Sequence, residues 1–180
     1  MKQFLLLIPL LLLLGIAAPG HSAENPGEHK VKAAYLYNFA KFIHWPDSAF
    51  YDTEAPLVIG VLGTNYFNGA LQPLATKKVR NRVIEIKYFK TLAEVQNCQI
   101  LYISKSEEKN LQTILKELSI RPILTVGEIK NFVGFGGIIQ FITKRDRLRF
   151  SINLNIAKNN EIQIEAQLLS LAAEVVGVKK

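Results

Sequence analysis

The sequence predicts an α/β fold, a three-layer α/β/α sandwich built on a mixed, mainly parallel sheet with a C-terminal antiparallel hairpin. Short, almost wholly apolar runs alternate with amphipathic stretches through the middle of the chain, the pattern of parallel strands covered on both faces. The last two strand-like runs, Ile138 to Thr143 and Leu148 to Leu154, are joined only by Lys144-Arg145-Asp146-Arg147. A connection that short makes a hairpin, so the sheet is mixed. With 49% of 180 residues hydrophobic and 21% charged, the chain can bury one core or two small ones but not several, and is neither disordered nor a coiled coil.

The elements follow in order. Met1-Lys2, an apolar run from Phe4 to Ala18 and a small, turn-prone stretch to Ala23 have the layout of an export signal, removed after Ser22 or Ala23. The run of about fifteen residues is shorter than a bilayer span requires. The expectation is a signal peptide over 1–23 and one exported domain over 24–180, not membrane-spanning once the leader is cut.

Glu28 to Ile43 sets Val31, Ala34, Tyr35, Phe39, Phe42 and Ile43 at helical steps, among Lys30, Lys32 and Lys41. This helix stops at Trp45-Pro46, because the residue before a proline avoids the helical region. Leu57 to Leu62 reads as a central strand, and Gly63-Thr64-Asn65 turns it into a helix from Tyr66 to Leu74. Val83 to Tyr88 alternates as a strand with one wetter face, and Thr91 caps a helix over Leu92 to Gln96. Ile100 to Ile103 is a third strand. Ser106-Glu107-Glu108 then opens a helix through Leu118, its acids at the positive end of the dipole. Pro122 to Val126 is a fourth strand, Glu128 to Phe132 a short helix, and the hairpin follows Gly136-Gly137. A last helical region runs from Asn155, clearest over Ile164 to Val176.

The net charge of +7, or +6 without Lys2, favours anionic surfaces or small anionic ligands; after export, nucleic acid is not among them. A single cysteine, Cys98, excludes a disulfide within the chain and any multi-cysteine metal site. His21, His29 and His44 are too scattered for a histidine-rich metal centre, so no metal or cofactor is expected.

Six stretches in order carry a resemblance. They are Val31 to Pro46 (VKAAYLYNFAKFIHWP), Ile59 to Gly63 (IGVLG), Asn97 to Ser104 (NCQILYIS), Ile123 to Val126 (ILTV), Gly136 to Phe141 (GGIIQF) and Arg147 to Leu154 (RLRFSINL). Together they resemble the YfiR-like family of small exported bacterial proteins, over nearly the whole mature chain. The resemblance implies a periplasmic regulator in cyclic-di-GMP signalling, often a homodimer. It represses a membrane-bound diguanylate cyclase by engaging that enzyme's periplasmic sensor domain. Some members carry disulfides linked to redox state; here Cys98 has no partner in the chain. It reads as a half-buried small side chain or as an intersubunit bridge.

Tyr35, Tyr37, Phe39, Phe42 and Trp45 put more aromatics on one helix and its exit than a single buried stripe needs. They read as core, with those left over, among Tyr35, Tyr37, Phe39 and Trp45, forming a dimer or partner interface. Lys77, Lys78, Arg80 and Arg82 precede the second strand, and Lys144, Arg145, Arg147 and Arg149 surround the hairpin turn. Arg147 and Arg149 fall on one side by alternation. Such charges protect a sheet edge or form a basic face for an acidic partner domain or an anionic membrane. The Gly60 to Asn65 turn, with Gly60, Gly63, Thr64 and Asn65, is a plain small-residue turn or an anion site at a strand end.

No catalytic constellation assembles. Asp47, Asp52 and Asp146 fall in turns, His44 ends a helix beside Trp45, and no serine lies in a G-x-S-x-G turn. The leading expectation is therefore a non-enzymatic periplasmic regulator. The alternative is a periplasmic protein that binds a small anion or nucleotide at the Gly63 turn.

Overall fold

The structure, a computed structural model, describes residues 26–177; the leader expected over 1–23 lies outside them. Helix α1 (Pro26–Phe42) leads into β1 (Ile43–His44), β2 (Leu57–Leu62), β3 (Lys78–Val79), β4 (Arg82–Phe89) and β5 (Ile100–Ile103). Then come α2 (Leu111–Leu118), β6 (Leu124–Gly127), β7 (Ile139–Lys144) and β8 (Arg147–Asn153). The chain closes with α3 (Leu154–Asn159), β9 (Gln163–Ile164), α4 (Ala166–Leu171) and β10 (Glu174–Val176).

Eight strands form one mixed sheet in the order β10-β8-β7-β6-β5-β2-β4-β3. The five from β7 to β4 run parallel, whereas β8 is antiparallel to β7 and β3 to β4. β10 lies parallel to β8 at the edge, and β1 and β9 make a separate antiparallel pair.

Strand periodicity divides the core in two. Leu57, Ile59 and Val61 of β2 face Leu36, Phe39 and Ile43 on one side of the sheet; Val58 and Leu62 face the α2 side. Helix α2 forms because Leu111, Ile114, Leu115 and Leu118 follow the i, i+3, i+4, i+7 rule, and all four are buried. The three-layer α/β sandwich with a mainly parallel sheet and a C-terminal hairpin is thus the observed architecture.

Several expected helices are shorter or absent. Between Tyr66 and Leu74 the left-handed Asn68 (φ 47) and Gly69 (φ 82) break the helical path, leaving a 3-10 segment at Gln72–Thr76. Leu92 to Gln96 shrinks to a 3-10 turn, and Thr91 donates to the Glu94 carboxylate instead of capping a helix. Glu128 to Phe132 is an irregular turn. The C-terminal helical region is interrupted at Glu161 (φ 58), and its clearest part contains β9, α4 and the edge strand β10. A second hairpin, β3–β4, turns through Arg80 (φ 48) and Asn81 (φ 66), as β7–β8 turns through Arg145 (φ 51) and Asp146 (φ 55). Two consecutive left-handed residues match the right-handed twist of the paired strands.

The ring of Phe132, fully buried on the α2 side, lies where a Cβ on Gly127 or Gly137 would sit. Both positions therefore require glycine for space. Gly137→Ala is expected to cost about 1–3 kcal/mol in urea denaturation by overpacking, with Phe132→Leu in the same chain recovering part of it.

Candidate functional site

The hairpin end of the sheet gathers four cations. Register pairs Lys144 with Arg147 and Ile142 with Arg149. Lys144, Arg145, Arg147 and Arg149 line a cleft of about 640 Å³, closed on its other side by Ala172 and Ala173. All four cations are exposed, and among the described residues none is bridged to a carboxylate. The edge strand β10 pairs only with Ser151 to Asn153, so the Arg147 to Phe150 half of β8 has no strand on that side among the described residues. Four like charges gathered there repel one another, and an acidic surface relieves that repulsion.

The aromatics of α1 divide by face. Phe39 is fully buried, and Tyr35 and Phe39 pack against Phe141 and Phe150 with ring centroids 5.2–5.9 Å apart. The Tyr35 hydroxyl donates to the Leu148 carbonyl at 3.3 Å. Tyr37 points elsewhere: it lines an open cleft with Lys41 and Lys77 above its ring at 5.7 and 5.4 Å. Half-buried Trp45 donates from Nε1 to the Gln99 carbonyl at 3.1 Å. The Gln99 side chain in turn accepts from the Val58 N–H at 2.8 Å and donates to the Ala49 carbonyl at 2.5 Å. In the monomer Phe39 is a core residue and Trp45 fastens the exit of α1 to the sheet.

The Gly63 turn stands at the carboxyl ends of β2 and β5, where flanking connections cross to opposite faces. Gly60 lies inside β2, where a Cβ would meet Phe89 and Cys98. Gly63 is left-handed at φ 87. Its N–H donates to the Phe89 carbonyl, the Thr64 N–H to Ser106 Oγ, and the Phe67 N–H to Asn65 Oδ1, each at 3.0 Å. Ser104 Oγ donates to the Thr64 carbonyl at 2.7 Å, and Glu107 accepts from Ser106 Oγ at 3.0 Å. Those three N–H groups have partners, and a carboxylate stands beside them. The turn is closed by its neighbours.

A model of the YfiR/HmsC-like family matches residues 29–173, from the first turns of α1 to the residue before β10. The chain belongs to the YfiR/HmsC-like family. No curated protein matches it. At the level of the family, membership implies a periplasmic regulator of cyclic-di-GMP signalling. Among the described residues of this YfiR/HmsC-like chain, no helix is long and apolar enough to cross a membrane. No group of three or more His, Cys, Asp or Glu residues there could hold a metal ion.

Cys98 is buried and unpaired, and burial pushes its thiol up to about 12. A thiol that stays protonated and covered is a poor nucleophile for disulfide exchange.

Two networks escaped the sequence. Lys32, with only 3% of its side chain exposed, reaches Glu28 at 2.9 Å and Glu128 at 2.6 Å, and the Tyr102 hydroxyl donates to Glu128 at 2.6 Å. Burial pulls the Lys32 ammonium down, but hydrogen bonds and attraction from both carboxylates leave it raised. Burial pushes Glu128 up, but Lys32 and Tyr102 outweigh it and hold the carboxyl below its usual range. In sequence Lys32 looks like any other lysine on an amphipathic helix. In the second network Arg80 donates to the Ile43 and Lys41 carbonyls at 2.6 and 3.2 Å, serving the end of α1 as a cap. The same guanidinium meets Glu165 at 3.0 Å, and Glu165 lies 2.8 Å from His44 Nε2. His44 thus helps join β1, β9 and the β3–β4 turn, with no nucleophile beside it in that cluster.

Proposed function

We propose that this YfiR/HmsC-like protein binds the periplasmic sensor domain of an inner-membrane diguanylate cyclase and represses it, using the basic hairpin cleft as its contact. The observation that carries the reading is the set of four cations with no carboxylate partner among the described residues, around one cleft beside the stretch of β8 whose outer edge is not covered by a strand among those residues. Opposite charge across such a contact steers encounter and fixes register. Family membership supplies the signalling system, and the cleft supplies a cationic surface that an acidic partner face would complement. The protein does this as an exported homodimer and without catalysis of its own. Light scattering on the processed protein reads the dimer, and fractionation reads the export.

The test is co-purification of the cyclase from detergent-solubilised membranes with wild type and with the Arg147→Glu/Arg149→Glu variant. Both arginines are exposed, so the fold is expected to survive, and thermal melting checks this. Binding is expected to weaken at least about tenfold, with cellular cyclic-di-GMP rising, because like charges placed across an interface are costly. Capture of the cyclase at wild-type levels by the variant removes the cleft as the contact. Failure of wild type to capture any cyclase removes the proposal itself.

A further inference from the structure

A second cleft, of about 550 Å³, opens between the first half of α1 and the segment from Phe67 to Lys77. Its floor is apolar: Ala33, Phe67 and Leu74 are buried there, and Ala70 and Pro73 continue the wall. Gly69 borders it in the left-handed region, and a Cβ added there would meet nothing within 4 Å. The polar part is of one sign. Lys30 and Lys77 stand at the cleft, buried His29 contributes a ring, and among the described residues no carboxylate lines it. Among the described residues neither lysine has an ion-pair partner. Tyr37 presents a ring already flanked by Lys41 and Lys77.

We propose that this cleft binds a small amphipathic anion, an aromatic carboxylate with its ring against Tyr37 and the apolar floor and its carboxylate at Lys30 and Lys77. The volume lies within the roughly 300–1,000 Å³ of small-molecule sites, and an apolar lining with a few polar groups is their usual make-up. A dicationic rim beside a hydrophobic floor selects against cations and against neutral polar solutes. The site is separate from the hairpin cleft, shares no lining residue with it, and stands whether or not the cyclase is the partner.

The experiment is a titration of the processed full-length protein with 2-naphthoate, with 2-naphthamide as the neutral isostere, followed by calorimetry and by NMR shifts. One saturable site for naphthoate is expected. Naphthamide should bind about tenfold more weakly, and Lys30→Gln/Lys77→Gln should lower naphthoate affinity to the same level. Ala34→Trp, at an exposed helix position lining the cleft, should block both compounds. If that variant does not fold, the lysine variant and the naphthamide comparison decide alone. No saturable naphthoate binding, equal affinity for the amide, or indifference to the lysine change each overturns the proposal.

Discussion

Lys32→Ala is expected to lower unfolding stability by about 3 kcal/mol, because it leaves Glu128 part-buried without its cation and facing Glu28. Among the described residues Lys32 is the one cation that reaches both carboxylates, at 2.9 Å from Glu28 and 2.6 Å from Glu128. The Glu128 side chain keeps 22% of its exposure and Glu28 keeps 40%, so water tempers the loss to the low end of what a broken buried pair costs. Lys32→Met/Glu128→Leu is expected to restore most of it, since removing both charges leaves neither stranded. Urea denaturation of the three proteins at neutral pH makes the comparison. A Lys32→Ala midpoint equal to wild type would show that the network contributes nothing.

The pH dependence follows from the two directions of shift. Glu128 is held below its unfolded value, so its contribution is complete above that value, near pH 4.5, and is lost as pH falls through the lower folded one. Lys32 is raised, so its contribution is complete below about pH 10.4 and is lost as pH rises through the higher folded value. Stability from this pair is therefore flat between the two limits, and Glu128→Gln should remove part of the acid limb.

What the sequence could and could not disclose follows from the range of the interactions involved. β2, β5 and β6 were readable because strands covered on both faces are continuous apolar runs, and α2 because its four apolar positions repeat at helical steps. The β3–β4 hairpin was not, since β3 is only Lys78 and Val79, too short to show an alternation, whereas each strand of the β7–β8 hairpin is long enough to do so. β10 was hidden because three residues cannot establish a period, and Val175 and Val176 prolong the apolar spacing of α4. Glu28, four residues earlier, marks only a local pair for Lys32; that this lysine is buried could not be read, because its second partner Glu128 stands 96 positions away. Charge clustering at the hairpin was readable, since adjacent residues need no tertiary fold to meet. The Tyr37 cleft was not, because half of it comes from a segment that reads as a regular helix and folds otherwise.

Phe39→Ala should be the most damaging single truncation on α1, at about 3–5 kcal/mol. Its ring is fully covered and touches Tyr35, Phe141 and Phe150, so truncation opens a cavity between helix and hairpin and removes three aromatic contacts at once. Val31→Ala, on the exposed face of the same helix, should stay within about 0.5 kcal/mol. Chemical denaturation of both variants separates two roles that the sequence leaves merged. If Phe39 served chiefly as a partner contact, its truncation would weaken binding and leave the midpoint near wild type. A large loss of stability instead assigns Phe39 to holding α1 against β7 and β8. The hairpin that bears Arg147 and Arg149 is then positioned by the inward stripe of α1, leaving the opposite side, with Ala34 and Tyr37, free to take a ligand.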